Sequence, residues 1–228
     1  MACDSYTVAM LHMNGADGST TFSDSSLSPH TFTTQGDAQI DTAQFVFGGA
    51  SGLFDGTGDY ITSVDSPDWD FGTGDFTIDF RVRWNGTPGV VHFIGRGGDT
   101  TQYQIEWTTA AGGLIQGHFG GTSHTSAWST NVGDTWYHVA FIRSGTVTKF
   151  FINGTQLGLD GSNSADVTYA TPMGIGANSD GTRPLNGWLD EFRISKGIAR
   201  WTSNFTPPTQ EYCLGGGFTS RLTLLGVG

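Results

Sequence analysis

In residues 76–84, FTIDFRVRW, the side chains Phe76, Ile78, Phe80, Val82 and Trp84 alternate strictly with Thr77, Asp79, Arg81 and Arg83. A period of two over this span puts the apolar set on one face of a β-strand and the polar set on the other. No part of the chain sustains a helical period, and SKGIARW, 195–201, is expected to form at most one short helical turn. Thirty-five glycines and a charged fraction of only 14% also argue against long helices.

Strand signals recur from end to end. They fall in YTVAMLHM (6–13), GLFDGTGDYITSV (52–64), GVVHFIGRG (89–97), QYQIEW (102–107), LIQGHF (114–119), VTKFFI (147–152), TQLGL (155–159), MGIGA (173–177) and GWLDEFRI (187–194). WYHVAFIR, 136–143, is apolar on both faces, so it is expected at the centre of a sheet covered on both sides. Asn153-Gly154 between two strand signals is a hairpin turn, because both positions accept positive φ. The spacing predicts an all-β fold, a two-sheet antiparallel sandwich or jelly roll.

The length suits one large domain, taken as residues 1–212. A glycine-hinged tail, 213–228, follows; it is expected either to contact a neighbouring subunit in an oligomer or to fold back on its own domain. The N-terminus shows no basic region followed by an apolar run, so no signal peptide is expected, and no segment is apolar enough for membrane insertion. A formal charge of −11 disfavours nucleic acid and permits divalent cations and neutral ligands. Cys3 and Cys213 are either free thiols or, if the terminal strands are neighbours, a bridge.

Four stretches carry a resemblance: LHMNGADGSTTFSDSS; FGGASGLFDGTGDYITSVDSPDWDFGTGDFTIDFRVRW; TWYHVAFIRSGTVTKFFINGTQLG; and LNGWLDEFRISKGIARWTSNFTPP. Together they resemble the laminin-G-like jelly-roll modules of the concanavalin A-like lectin and glucanase superfamily. The match spans residues 6 to about 210 in order. It is similar in particular to stand-alone modules encoded among bacteriophage structural genes. The resemblance implies two stacked antiparallel sheets with first and last strands adjacent, which brings Cys3 and Cys213 into one neighbourhood.

The same resemblance assigns a calcium ion to Asp190. The alternation of GWLDEFRI puts this carboxylate in register with Trp188, Phe192 and Ile194, and a buried carboxylate needs a partner. The family's pattern makes Asp190 the ligand, with backbone carbonyls near Met13 and Gly52; calcium accepts such oxygens readily. The other reading is that backbone N–H groups satisfy Asp190. Asp24 is a weaker second candidate, better explained by an Asx-type turn.

Hydrolytic chemistry finds no place in the sequence. Glu106, Glu191 and Glu211 are the three glutamates; the Asp190–Glu191 pair is adjacent and so expected to point to opposite faces. His118 and His124 have no carboxylate near them in sequence, and His138 is expected to be a satisfied core histidine. Binding remains, with Trp128, Asn178, Asp180 and Arg183 as candidate ligand contacts, Trp128 as an exposed ring, and Trp107 buried. The expectation is a non-enzymatic virion protein, a capsid decoration or tail or fibre component. It would contact other virion subunits through its tail and touch glycans or a host surface through its jelly roll. The alternatives are a bacterial carbohydrate-binding or adhesion module, extracellular or on the bacterial surface, and thirdly a glycoside hydrolase.

Overall fold

The computed structural model describes residues 3–97 and 103–213. Among them are fifteen strands in two antiparallel sheets. The first sheet runs β13 (Thr155–Ser162), β12 (Val147–Ile152), β11 (Tyr137–Ser144), β6 (Phe76–Trp84), β15 (Asn186–Lys196), β4 (Ser51–Asp55) and β3 (Gln39–Asp41), with β1 (Thr7–Leu11) also paired to β15. The second runs β10 (Thr122–Ala127), β9 (Leu114–Phe119), β8 (Tyr103–Thr108), β7 (Val91–Arg96), β14 (Met173–Ile175), β5 (Tyr60–Ser63) and β2 (Thr33–Gln35). This is the jelly-roll sandwich that the strand spacing predicts.

The core lies between the sheets. The inward set of β6 joins Ile105 and Trp107 of β8, Ile115 and Phe119 of β9, and Phe141 of β11 in one cluster. Its aromatic rings meet edge-on or stacked, as in Trp84 with Trp107 at 5.9 Å and Phe119 with Phe141 at 5.2 Å. The expected Asn153-Gly154 hairpin forms, with φ of 50° and 78°. Residues 195–201 make no helical turn; they finish β15 and turn away from it. Lys196 N–H and Gly197 N–H are instead bonded to Tyr6 and Asp75 carbonyls. Among the described residues, the short helical turns that do form are the 3₁₀ segments Pro67–Trp69 and Ala110–Gly112.

As predicted, β11 is covered on both sides. Its second cover is the segment 197–213, which crosses the outer face of the first sheet. Ala199, Trp201 and Phe205 pack on Ala140, Ile142 and Phe151. Further along, Tyr212 and Cys213 pack on Cys3 and Met10. Cys3 and Cys213 form a disulfide with Cα atoms 4.5 Å apart, so the bridged alternative holds. Residues 7–11 lie beside 192–195, which makes this closure possible. The tail beyond Cys213 lies outside the described residues.

Beneath that strap lies a buried polar network. Asp79 takes two hydrogen bonds from Arg193, Nε to Oδ1 at 2.9 Å and Nη2 to Oδ2 at 3.0 Å. The Arg193 guanidinium lies 3.8 Å from the centre of the Tyr212 ring. His138 is fully buried but faces outward into this network, with Nε2 3.0 Å from the Tyr212 hydroxyl. Burial would raise the Asp79 carboxyl; the charge of Arg193 and the hydrogen bond with His138 outweigh it and hold Asp79 well below the usual carboxylate range.

Asp79→Ala strands Arg193 in a buried setting and should cost about 3–5 kcal/mol in urea unfolding at pH 7. A group with a depressed folded pKa contributes in full above its unfolded value, about 3.9 for Asp, and loses that contribution as the pH falls further. The gap between variant and wild type should therefore narrow below about pH 4.

Candidate functional site

On β8 the side chains Tyr103, Ile105 and Trp107 enter the core, so Gln104 and Glu106 emerge on the outer face of the second sheet. The ladder sets His92 of β7 directly opposite Glu106, and His118 of β9 opposite Gln104. His92 Nε2 lies 2.8 Å from Glu106 Oε2, and His118 Nε2 lies 3.2 Å from Oε1. Arg183 reaches down from the loop before β15 and gives Nη1 to the same Oε2. Because the carboxylate only accepts, both histidines donate from Nε2. His118 Nδ1 is then an acceptor for the Ser123 hydroxyl, 2.6 Å away.

Burial alone would push the Glu106 carboxyl up. The hydrogen bonds of His118 and His92, with the positive charge of Arg183, hold it far below the usual range instead. Its described hydrogen-bond partners are two histidines and an arginine, none of them a carboxyl group. The carboxylate that His118 lacks in sequence is thus supplied across the ladder. Register between strands decides this contact, and no local motif carries it.

The loop 176–184 lies over part of this face. Asn178 is fully buried, packed so closely on Gly95 that a Cβ there would collide with its Oδ1. Its Nδ2 donates to Thr182 Oγ1 at 3.0 Å, and its Oδ1 has no partner. Gln104 Oε1 and His92 Nδ1 are likewise buried without partners. Asp180 is exposed, and its Oδ1 receives the N–H and hydroxyl of Thr182. Of the four expected ligand contacts, the fold therefore brings Arg183 into the Glu106 cluster and uses Asn178 and Asp180 to shape the loop beside it. Trp128 is a correction. Its ring is 1% exposed, edge-on to Trp84 and Tyr137: Thr125, Ser129 and Thr130 are exposed while the indole fills the end of the core. Trp107 is buried as expected.

A cleft opens beside this face. It has a volume of about 310 Å³ and is lined by Asp55, Gly56 and Thr57 after β4, Trp84, the 87–91 segment, Pro184 and Asn186.

Asp190 differs from its expected placement. The β15–β6 ladder pairs Asp190 with Arg81 and then Arg193 with Asp79, so Glu191 and Phe192 together oppose Phe80, two residues against one. Glu191, with φ of 50°, is the extra residue of a β-bulge. Leu189, Phe192 and Ile194 face the core, while Asp190 and Glu191 both reach the outer side, which corrects their expected opposition. Asp190 Oδ2 accepts the N–H groups of Val46 at 2.8 Å and Phe47 at 3.1 Å. Oδ1 is buried and has no hydrogen-bond partner. Burial raises this carboxyl to about 7 against those N–H bonds, and the charge of Glu191 adds to the rise.

Gly52 faces Leu189 in the neighbouring ladder, and the Met13 sulfur packs over it, so the residues assigned to calcium share one neighbourhood. An orphaned buried carboxylate oxygen fits one ligand of a cation. Asp24 is a turn organiser, accepting the N–H groups of Met10, Ser26 and His30. Asp37, Asp55 and Asp59 also lie close together, with Asp59 oxygens taken by the N–H groups of Asp37 and Asp55.

Glu106→Gln removes the charge that organises His92, His118 and Arg183. It should cost roughly 1.5–3 kcal/mol at pH 7, the range for hydrogen bonds to charged groups. The loss should shrink below about pH 4, where wild-type Glu106 also begins to lose its advantage; urea titrations at pH 7 and pH 3 check both points.

Comparison with known proteins agrees with this architecture. The family model described as the concanavalin A-like lectin/glucanases superfamily matches residues 55–200. No curated protein sequence matches the chain. Among solved structures, domain 4 of AbnA, a GH43 extracellular arabinanase from Geobacillus stearothermophilus in complex with arabinotriose, superposes with a TM-score of 0.60 at 20% identity. That match covers 84% of this chain and 92% of that one. The binding domain of Paraclostridial Mosquitocidal Protein 1 superposes with a TM-score of 0.61 at 15% identity over 85% of this chain. Botulinum neurotoxin type C, whose cell entry depends on interaction with two ganglioside molecules, gives 0.61 at 14% over the same share. The chain spans about half the length of those two toxin structures, 50% and 49%. At these identities the likeness is one of fold. The matched segment covers most of both sheets, and the chain belongs to the concanavalin A-like lectin/glucanase superfamily, as a laminin-G-like module.

Proposed function

We propose that this protein is a non-enzymatic, lectin-like module that binds glycans on a surface, and that it serves on a bacteriophage particle as a capsid decoration or a tail or fibre component. The Glu106 cluster carries the binding reading. Retaining hydrolysis needs two carboxyl groups about 5–5.5 Å apart, one of them kept protonated. Glu106 has no carboxyl among its described partners, and its proton is held off. What surrounds it is a set of imidazole, amide and guanidinium groups on the outer face of the second sheet, with the carboxylate's charge already answered by His92, His118 and Arg183. That chemistry suits hydroxyl-rich ligands, and the arabinotriose complex of a similar domain supports a glycan.

The virion assignment rests on the resemblance to modules of phage structural genes. The Cys3–Cys213 disulfide is consistent with work outside the cytosol, on a virion or a cell surface. It therefore also suits a bacterial adhesion module, the alternative reading. Residues 214–228 are the proposed contact with other subunits. Calcium at Asp190 belongs to the same proposal. Asp190 Oδ1 and carbonyl oxygens near Met13 and Gly52 would hold the ion, which would compensate the buried charge.

A glycan array with the full chain should show binding and no release of reducing ends. Turnover of any polysaccharide would remove the non-enzymatic reading, and labelling of phage particles by an antibody to this chain distinguishes virion from cell surface. For the metal, Asp190→Asn should lower the melting temperature in calcium buffer and not in chelator. Equal behaviour in both buffers removes the ion.

A further inference from the structure

We infer that the cleft beside the Glu106 face is a subsite for a single neutral sugar unit of a longer chain. This rests on the glycan-binding reading above and deepens it. Its volume, about 310 Å³, sits at the small end of the range for small-molecule sites. Its wall mixes the Asp55 carboxylate, the Asn186 amide and the hydroxyls of Thr57 and Thr87 with apolar surface from Val90 and Pro184, backed by the buried Trp84 and Val91. Donors and acceptors beside apolar patches match a sugar, which is polar at its rim and apolar on its ring faces.

Three observations narrow the ligand. First, the lining holds one carboxylate and no Lys, Arg or His, so an anionic sugar would meet Asp55 without compensation. Second, the carboxylate is positioned: Thr57 N–H bonds to Asp55 Oδ1 at 2.7 Å, and Asn186 faces Asp55 across the β15–β4 ladder. Third, the wall behind the cleft is rigid: Trp84 lines it from the core side, 1% exposed, with its ring held by Trp107 and Trp128 at 5.9 and 5.4 Å, so the shape of the site is set before any ligand arrives.

The cleft and the Glu106 face share a border. Pro184 follows Arg183, Val91 precedes His92, and His92 N–H is bonded to the Arg183 carbonyl at 2.9 Å. A linear oligosaccharide can therefore seat one unit in the cleft while the next lies over the histidines. Arg183 and Glu106 stand at the junction.

Gly89 supplies the test. It lines the cleft, a side chain there meets nothing within 4 Å, and its φ lies outside the left-handed region, so Gly89→Trp should fold and fill the space. The probes are arabinotriose and neutral and uronic-acid oligosaccharides of matched length, followed by calorimetry and by the indole resonances in ¹H–¹⁵N spectra. The expected result is binding of a neutral oligosaccharide, movement of the Trp84 indole resonance, weaker binding of the acidic analogue, and a loss of about tenfold or more in Gly89→Trp. Binding that survives Gly89→Trp with an unmoved Trp84 resonance overturns the cleft and leaves the glycan reading standing. Failure of the wild type to bind any neutral oligosaccharide overturns both. The Trp84 resonance is read on the unmodified chain, so it decides the matter even if Gly89→Trp misfolds.

Discussion

Strand β15 is hydrogen-bonded to three other strands, and the first sheet is arranged around it. One edge runs along β6; the other is shared, with β4 along 186–189 and β1 along 192–195. The bulge at Asp190–Glu191 separates the two halves. Without that extra residue, Phe192 and Ile194 could not join Leu189 on the core side, because a slip of one residue exchanges the faces of a strand. The bulge keeps the core continuous, and in doing so it places two consecutive carboxylates on the outer side. Glu191 answers its share by binding His12 and the Tyr212 backbone.

The outer faces of both sheets carry polar side chains that are not in water. On the first sheet the strap 197–213 closes over Asp79, Arg193 and His138, and the strap's own Tyr212 joins the network; His138, expected to be satisfied, is so at Nε2, while its Nδ1 is buried without a partner. On the second sheet, cover comes from the loop 176–184, and part of the hydrogen-bonding capacity is left unspent. Burying polar groups is unfavourable unless each finds a partner. The first network is closely satisfied at Asp79 and belongs to stability. The second leaves buried atoms of His92, Gln104 and Asn178 without partners, so it contributes less to stability for the polar groups it buries.

Much of the fold was legible because alternation is a local property. The inward sets of β6 and β8, the Asn153-Gly154 hairpin and the doubly covered β11 all followed from residue order alone. The errors have two physical sources. A bulge residue in the left-handed region is usually signalled by Gly or Asn, and here it is Glu191, so the phase of Asp190 was misread. Burial of Trp128 depends on rings from β6 and β11 that close over it from distant positions. The Glu106 cluster was invisible for a related reason. Its members lie at 92, 106, 118 and 183, and strand register together with one loop crossing makes them neighbours. Arg183 was identified as a candidate contact from its loop, without its partner.

The bridge between Cys3 and Cys213 also determines how the domain bears a mechanical load. Tension entering at Cys213 divides at the sulfur link, one branch running back through the strap and the other into β1. Peeling the strap from its end is blocked, since its last residue is anchored to the opposite terminus. The β1 branch meets hydrogen bonds lying across the direction of pull, so several must break together. A domain that anchors a particle or a cell to a surface under flow gains from such a junction, which shares force between two paths before either sheet is disturbed.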